Sequence, residues 1–273
     1  MFRLSLVVVL AAGCAGGTHA PSPTGEQRST DPPQLWMQVA GDGEPTVVFE
    51  AGGGDDSSVW AGLEPDIRLH VGVRTVVYDR AGLGKSAPTP GPYRIEDEAA
   101  ALRRALDRFG IKGPIVLVAH SYGGFVARLV AGTDPRVAGM VLVDANVPEF
   151  FDDAELAHLQ ARYAPQLAEL ERKNPALARV MGPLMRAYPA TVARVRAEVL
   201  PANLPIIDIV AEHSWGETDD ENAAMRRAHA AFVAASPARE AVLARGSGHY
   251  VMRDRPQVVI DAISQILRRA RPS

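Results

Sequence analysis

The sequence predicts an α/β fold: a doubly wound, mostly parallel sheet with an inserted helical cap. Five short runs rich in Val and Ile recur along the chain, and they read TVVFEAGGG, RTVVYDRAGLG, PIVLVAHS, AGMVLVDAN and LPIIDIVAE. Continuous apolar runs of this length are typical of strands buried on both faces of a parallel sheet. Helix-like stretches lie between the runs. This alternation predicts a ligand crevice at the carboxyl ends of the strands.

Three helices and one further strand are predicted around these runs. Residues 95–109 are acidic at the start and basic toward the end, which matches the helix dipole. A second helix, over residues 122–131, begins directly after Ser121. A short apolar strand over residues 241–244 precedes a last helix over residues 256–269, which starts with the proline favoured in a first helical turn.

Residues 148–205 interrupt the alternation, because they read as helices only. The insertion leaves the strand end that carries Asp144, so we predict a cap over the crevice; the alternative is a helical hairpin packed elsewhere. Its apolar side chains either line a pocket or form the cap's own small core. They are Leu156, Leu159, Tyr163, Leu167, Met181, Leu184, Met185 and Tyr188.

Residues 1–14 have the pattern of a signal segment. Arg3 precedes an apolar run over residues 4–12, too short to span a bilayer as a mature helix. Cys14 follows small residues and resembles a bacterial lipobox, although Ala11 stands where that motif usually has leucine. The resemblance implies a lipidated Cys14 and an extracytoplasmic, membrane-anchored lipoprotein. The alternative is a plain signal peptide cut elsewhere, which would leave a secreted protein.

The rest of the chain divides into a tether and a working domain. Residues 15–33 are rich in Gly, Pro, Ser and Thr, as in a flexible tether, and residues 34–273 form the predicted domain. With 47% hydrophobic and 22% charged residues, that domain has the composition of a globular protein. The net charge of −3 gives no basic field, so a nucleic-acid partner is not expected. Cys14 is the only cysteine, so the domain has no disulfide.

The strand over residues 115–119 ends in His-Ser-Tyr-Gly-Gly and turns at once into a helix. This is a nucleophile elbow, G-x-S-x-G, except that Ala119 replaces the first glycine. The turn crowds the residues two before and two after the nucleophile. Gly123 meets that requirement and Ala119 adds one methyl group. Ser121 is therefore the candidate nucleophile, and the alternative is a serine that only caps the helix.

His249 lies in the Gly-rich loop between the last predicted strand and the last helix. A general base needs one ring nitrogen free to reach the serine and the other held by an acid. A loop beyond a strand end provides that position. Other histidines lack it: His19 lies in the tether and His120 within the elbow, while His158 and His229 fall in helix-like stretches where we expect solvated side chains.

With these features, residues 35–270 resemble the α/β-hydrolase superfamily, whose triad runs nucleophile, acid, histidine. YDRAGLGKS is similar to the family's D-x-x-G-x-G-x-S turn, and FEAGGG stands where the family usually has a His-Gly oxyanion loop. Ala51 and Gly52 replace that His-Gly pair. The resemblance therefore implies that Gly53 supplies one backbone N–H to an oxyanion hole and Tyr122 the other.

The sequence offers candidates for the acid of the triad in two regions. Most of the superfamily carries it after the strand LPIIDIVAE, where this chain has Ser214. A minority, including the haloalkane dehalogenases, carries it one strand earlier, where Asp144 follows Ser121 by 23 residues. A carboxylate at the end of an apolar strand is costly to bury without a partner, which favours Asp144. The alternatives are Glu212, Glu217, Asp219 and Asp220.

The Gly-Lys-Ser of AGLGKS resembles the end of a phosphate-binding loop, but Asp79 stands where that motif needs its first glycine. We therefore interpret its glycines as turn residues and place Lys85 and Ser86 on a rim. The sequence has no metal-ligand pair at helical spacing. Neither a metal nor another cofactor is expected.

Together these residues predict a serine hydrolase that cleaves a small-molecule carboxylic ester or related acyl bond. Ser121 would attack, His249 would take its proton and Asp144 would hold the imidazole. Relatives that attack halides or epoxides use an aspartate nucleophile, so those activities are disfavoured. Two alternatives stay open: a non-catalytic, ligand-binding lipoprotein on the same scaffold, and a lyase or perhydrolase that uses the same triad.

Overall fold

A computed structural model describes residues 34–270. Cys14, the predicted signal segment and the predicted tether lie outside the described residues. The described part contains seven strands, which are β1 (Met37–Ala40), β2 (Thr46–Glu50), β3 (Thr75–Tyr78), β4 (Ile115–His120), β5 (Val137–Val143), β6 (Ile206–His213) and β7 (Arg239–Gly248).

The strands form one sheet in the order β1-β3-β2-β4-β5-β6-β7. Every neighbouring pair is parallel except β1 with β3, which is antiparallel. The predicted doubly wound, mostly parallel sheet is confirmed. Because β2 to β7 run in one direction, their carboxyl ends meet at a single edge of the sheet.

Nine α-helices accompany the strands in residues 34–270. They are α1 (Glu64–Asp66), α2 (Ile95–Arg108), α3 (Gly123–Thr133), α4 (Asp153–Lys173), α5 (Pro175–Arg186), α6 (Tyr188–Arg196), α7 (Asp219–Ala234), α8 (Val251–Asp254) and α9 (Pro256–Ala270). Short 3-10 turns cover Ser57–Trp60 and Pro148–Phe150, and a π-helical turn covers Ile67–Val71. No helix among the described residues is long and apolar enough to cross a membrane.

Alternation along the strands divides the core into two layers. In β2, Val47 and Phe49 pack into one layer with α9, whereas Val48 packs into the other with α2 and α3. Both layers are buried because helices cover both faces of the sheet, as a doubly wound fold requires.

The predicted helical insertion lies between β5 and β6 and consists of α4, α5 and α6, preceded by the turn Pro148–Phe150. Some of the apolar residues named for it line a cavity, and others join the main core rather than a small core of the cap's own. Leu159 and Tyr188 are buried in the main core, while Met181 and Leu184 line a cavity beside α2. α5 also contacts the loop after β3, since a methyl group added at Gly82 would lie 2.7 Å from Val180 Cγ2.

Two of the sequence expectations are wrong. His229 is not solvated: it is 3% exposed and its Nδ1 lies 2.8 Å from Asp208 Oδ2, between α7 and β6. Ser86 is not on a rim, because its hydroxyl is buried, donates to the Asp79 carbonyl and accepts from Trp36 N–H. Lys85 is exposed as expected, with its ammonium over the Trp36 ring.

Candidate active site

The carboxyl edge of the sheet gathers the predicted site residues. Ser121 is the first residue after β4, Asp144 the first after β5, and His249 the first after β7. Gly53 lies in the loop after β2, and Tyr122 follows Ser121 at the start of α3. Residues far apart in sequence thus become neighbours because parallel strands end at the same edge.

Ser121 occupies a sharp turn between β4 and α3. Its φ of 52° is in the left-handed region, and its carbonyl accepts from Gly124 N–H at 3.0 Å and from Asn146 N–H at 2.8 Å. A methyl group added at Gly123 would lie 2.6 Å from the Ala51 carbonyl oxygen, so only glycine fits there. Ala119 is fully buried and accommodated. The missing first glycine therefore does not prevent the elbow.

Asp144 also has a left-handed backbone, with a φ of 43°, and is 1% exposed. Its Oδ2 accepts from His249 Nδ1 and Ser214 Oγ, both at 2.6 Å, and its Oδ1 accepts from Ala211 N–H at 2.9 Å. Burial raises the pKa of this carboxyl, but the hydrogen bonds from His249 and Ser214 outweigh it and hold the pKa below its ordinary value. The carboxylate is therefore charged and fully partnered.

Ser121 and Asp144 are the only non-glycine residues with positive φ in the described part of the chain. A left-handed backbone costs a non-glycine residue on the order of 1 kcal/mol or more and persists where the surroundings enforce it. Such strain is concentrated at functional positions in proteins. Here it coincides with two residues chosen from the sequence on other grounds.

The His249 ring is oriented by its bond to Asp144. An ionised carboxylate only accepts hydrogen bonds, so Nδ1 carries a proton and Nε2 is the ring nitrogen left for the serine. Nε2 has no hydrogen-bond partner within residues 34–270, and Ser121 Oγ donates none there. The backbone carbonyl of His249 lies 3.1 Å from Nε2 of His120, whose ring centroid is 4.5 Å from that of His249. His120 thus supports the loop that carries His249.

The alternative acids lie elsewhere. Glu212 Oε2 accepts from Gly246 N–H, Glu217 lies 3.9 Å from Arg162, and Asp219 and Asp220 open α7 with exposed side chains. In the described structure none of these four forms a hydrogen bond or ion pair with His249. Ser214, at the position where most of the superfamily has its acid, instead donates to Asp144. That role was not predicted, because a serine at a strand end gives no signal of its own.

The two predicted oxyanion donors are adjacent. A methyl group added at Gly53 would lie 3.4 Å from Tyr122 Cβ, so the two backbones border one another beside Ser121. Neither N–H donates a hydrogen bond to any residue between 34 and 270. Two unused N–H groups, one from the loop after β2 and one at the start of α3, favour a developing negative charge.

Sequence reasoning missed Arg80, which lies behind the oxyanion loop. It is 3% exposed and pairs with Glu50, itself 1% exposed, at 2.7 Å. Its guanidinium also donates to the carbonyls of Ala51 and Gly52. Burial raises the pKa of Glu50 to about 7 despite the Arg80 charge. In the sequence, Arg80 follows a strand in a glycine-rich turn, and that position does not predict these contacts.

A cavity of about 430 Å³ lies between the loop after β3, the start of α2, and α5. Arg80, Tyr93 and Met181 are among its lining residues. Met181 lies against the oxyanion loop, since methyl groups added at Gly53 and Gly54 would lie 3.9 Å from its Cε and 3.4 Å from its sulfur. Tyr93 is joined to the Tyr122 side chain by a 2.7 Å hydrogen bond between the two hydroxyls. The cavity therefore borders the candidate site, and its volume suits a small molecule.

Two solved structures share this fold over nearly their whole length. A thermophilic esterase from Thermogutta terrifontis has a TM-score of 0.60 at 21% identity, covering 90% of this chain and 97% of that one. A structure from a study of carboxylesterases of Nitrososphaera gargenis has a TM-score of 0.66 at 18% identity, covering 91% and 98%. At these identities the likeness establishes the fold.

Comparison of the sequence identifies the family as well as the fold. The protein YqjL of Bacillus subtilis is 28% identical over 225 residues, which make up 81% of this chain and 83% of that protein. Residues 47–262 match the model that describes the alpha/beta hydrolase family, and this range contains the whole carboxyl edge from the oxyanion loop to His249. The chain belongs to the alpha/beta hydrolase family.

Proposed function

We propose that this protein is a serine hydrolase that cleaves carboxylic esters through Ser121, His249 and Asp144. The observation that carries the proposal is the 2.6 Å hydrogen bond between His249 Nδ1 and Asp144 Oδ2, formed at the edge where Ser121 follows β4. It supplies an oriented base at the same sheet edge as a serine on a tight turn, and acyl transfer needs both groups.

In the acylation step, His249 Nε2 removes the hydroxyl proton of Ser121 as Oγ bonds to the substrate carbonyl carbon. The carbonyl oxygen becomes an oxyanion, which the N–H groups of Gly53 and Tyr122 stabilise. Asp144 holds the Nδ1–H tautomer and stabilises the imidazolium. The imidazolium then protonates the departing alcohol as its bond to carbon breaks, which leaves an acyl-enzyme.

Deacylation repeats these steps with water. His249 takes a proton from water, the resulting oxygen nucleophile attacks the acyl carbon, and the same two N–H groups stabilise the second oxyanion. The proton returns to Ser121 Oγ as the acid is released. No cofactor is required at any step.

The cavity beside the site supports a substrate of small to moderate size with an apolar portion. Met181 and Leu184 of α5 contribute apolar side chains, and Tyr93 also lines the cavity. The esterases among the structural neighbours agree with an ester as the scissile group. We therefore propose a carboxylic ester rather than an amide as the first substrate class to test.

A fluorophosphonate probe on the purified domain, residues 34–273, tests the nucleophile. Ser121 Oγ would displace fluoride and form a stable P–O bond, which peptide mass spectrometry locates. Hydrolysis of short-chain nitrophenyl esters is measured in parallel. We expect a label on Ser121 that is absent in Ser121→Ala and slowed by several orders of magnitude in His249→Ala.

The alternatives predict different outcomes of this experiment. A non-catalytic binding protein would show neither label nor turnover although folded. A perhydrolase or lyase would be labelled at Ser121 but would differ in its products, which mass spectrometry of the reaction mixture identifies. A label on another serine would overturn the assignment of Ser121.

We further propose that Cys14 is lipidated and anchors the protein outside the cytoplasm, on the sequence pattern alone. The full-length chain should then sediment with the membrane fraction of an expressing bacterium. Cys14→Ala should move it to the soluble fraction without changing esterase activity. Full-length protein that stays soluble with Cys14 intact would contradict the anchor.

A further inference from the structure

Arg80 directs both terminal nitrogens at the backbone of the loop after β2. Nη1 donates to the Ala51 carbonyl and Nη2 to the Gly52 carbonyl, each at 2.5 Å. Nη1 also lies 2.7 Å from Glu50 Oε1. A guanidinium that is buried and bonded to two consecutive carbonyls is fixed in place, and so is the segment it holds.

The Gly52–Gly53 peptide connects this cation to the proposed oxyanion hole. Within residues 34–270 the one cis peptide bond is Glu44–Pro45, so the Gly52–Gly53 bond is trans. In a trans peptide the C=O and N–H groups point in opposite directions. Because the Gly52 carbonyl faces Arg80, the Gly53 N–H faces away from it and is left free for the substrate.

We infer that Arg80 is a positioning residue for the oxyanion hole: it fixes the plane of the Gly52–Gly53 peptide and strengthens its N–H as a donor. The inference rests on the proposed function. A cationic donor at the carbonyl draws electron density toward its oxygen, and hydrogen bonds linked through one peptide strengthen each other. The effect is greatest when the N–H meets a full negative charge, so it acts on the transition state more than on the bound ester.

The contacts of Arg80 distinguish this role from direct substrate binding. Arg80 borders the cavity, yet it is 3% exposed and its terminal nitrogens already serve three protein oxygens. A substrate-binding arginine would affect chiefly KM. A residue that acts through the Gly53 N–H would affect chiefly kcat.

The test uses a double variant, Glu50→Gln with Arg80→Met. Replacing Arg80 alone would leave the Glu50 carboxylate buried and unpaired, which is strongly destabilising, whereas replacing both charges keeps the fold. We expect kcat to fall about 10- to 100-fold with KM within about threefold. The loss is smaller than the 10²–10³ typical of a deleted oxyanion donor, because the donor stays but is weakened. Arg80→Lys, which keeps the charge, should lose less.

A matched control is the double variant Asp134→Asn with Arg136→Met. It removes an ion pair of 2.6 Å, in which Asp134 is also buried, at the opposite end of α3 from Ser121. This variant should unfold at lower denaturant concentration and keep the wild-type kcat. It separates a general loss of stability from an effect on the oxyanion hole.

The ³¹P chemical shift of a phosphonylated Ser121 tests the Gly52–Gly53 peptide without relying on turnover. The phosphonyl oxygen of a Ser121 adduct occupies the oxyanion hole, and its ³¹P chemical shift responds to the strength of the donors. Labelling is irreversible, so a slow variant is still labelled to completion. We expect the shift of the Glu50/Arg80 double variant to move toward that of the free phosphonate ester, while the Asp134/Arg136 control keeps the wild-type value.

The outcomes are distinct. Wild-type protein that is not labelled at Ser121 would overturn the proposed function itself. With wild type labelled, a folded Glu50/Arg80 double variant that keeps the wild-type kcat and ³¹P shift would overturn the inference alone. A rise in KM without a loss of kcat would also overturn it, since Arg80 would then contact the substrate.

Discussion

Within residues 34–270, two histidines are hydrogen-bonded to aspartate side chains, and the two pairs differ in where the histidine ring lies. His249 Nδ1 lies 2.6 Å from Asp144 Oδ2, and His229 Nδ1 lies 2.8 Å from Asp208 Oδ2. Both acids are fully buried at the side chain. The side chain of His249 is 20% exposed, whereas that of His229 is 4% exposed.

The difference follows from position along the strands. Asp144 follows β5 at the carboxyl edge and meets a loop histidine, while Asp208 is the third residue of β6 and meets a helix histidine within the core layer. The His249 ring is partly exposed, whereas the His229 ring is enclosed by protein. Under the proposed function, a histidine–aspartate pair alone does not make a catalytic site. The pair must also lie at the edge where a nucleophile and a substrate can reach it.

The largest expected effect is on activity, and it distinguishes the His249–Asp144 pair from the His229–Asp208 pair. Asp144→Asn should lower kcat about 10⁴-fold, because His249 loses the partner that fixes its tautomer and stabilises its cation. The matched Asp208→Asn should stay within about threefold of wild type. Nitrophenyl ester hydrolysis measures both. Equal losses in the two variants would contradict the distinction.

The second effect is on stability and falls on the enclosed pair. His229→Leu should lower the free energy of unfolding by about 3–5 kcal/mol, because it leaves Asp208 buried without its partner. The double variant Asp208→Leu with His229→Leu should recover most of that loss. Urea unfolding followed by circular dichroism gives the values. A single variant as stable as wild type would show that the pair contributes nothing.

A smaller effect is expected at the hydroxyl that supports Asp144. Ser214→Ala removes one of three hydrogen bonds to the carboxylate. Since a hydrogen bond to a charged group contributes about 1.5–3 kcal/mol, we expect kcat to fall about tenfold or somewhat more. Ser214→Thr keeps the hydroxyl and serves as the control. Unchanged kcat in Ser214→Ala would exclude this support role.

The smallest effect is a pH dependence from His229. Burial lowers its pKa, but the charge of Asp208 outweighs burial and raises the pKa above the ordinary value of 6.5. A raised folded-state pKa stabilises the fold below pH 6.5, and this contribution is lost as pH rises through the folded-state value. The stability difference between wild type and His229→Gln should therefore shrink as pH increases above 6.5. A difference that grows with pH would contradict the sign.

The fold was predictable where burial imposes a continuous apolar run, as in β2 to β6. β7 was predicted over only four of its ten residues, because this strand lies at the edge of the sheet and carries exposed charges such as Glu240 and Arg245. β1 was not predicted at all: it is short, half-exposed and antiparallel. Edge strands lack the continuous apolar run that is typical of strands buried on both faces.

The candidate site was predictable as a set of strand ends but not as a set of contacts. Ser121, Asp144 and His249 each follow a strand, and sequence alone could not choose among the acids because the choice depends on sheet order. His229 was misjudged because a helix with mixed polarity does not reveal which face is buried. The contacts of Arg80 could not be predicted, because its acceptors are backbone carbonyls, which every residue has.

The spacing of the three site residues sets the order in which they are synthesised. The nucleophile and the acid are 23 residues apart on adjacent strands, and Asn146 N–H ties the acid's loop to the Ser121 carbonyl. The histidine arrives 105 residues after the acid. Under the proposed function, the serine is therefore synthesised long before its base, and the site is complete only once β7 has paired with β6.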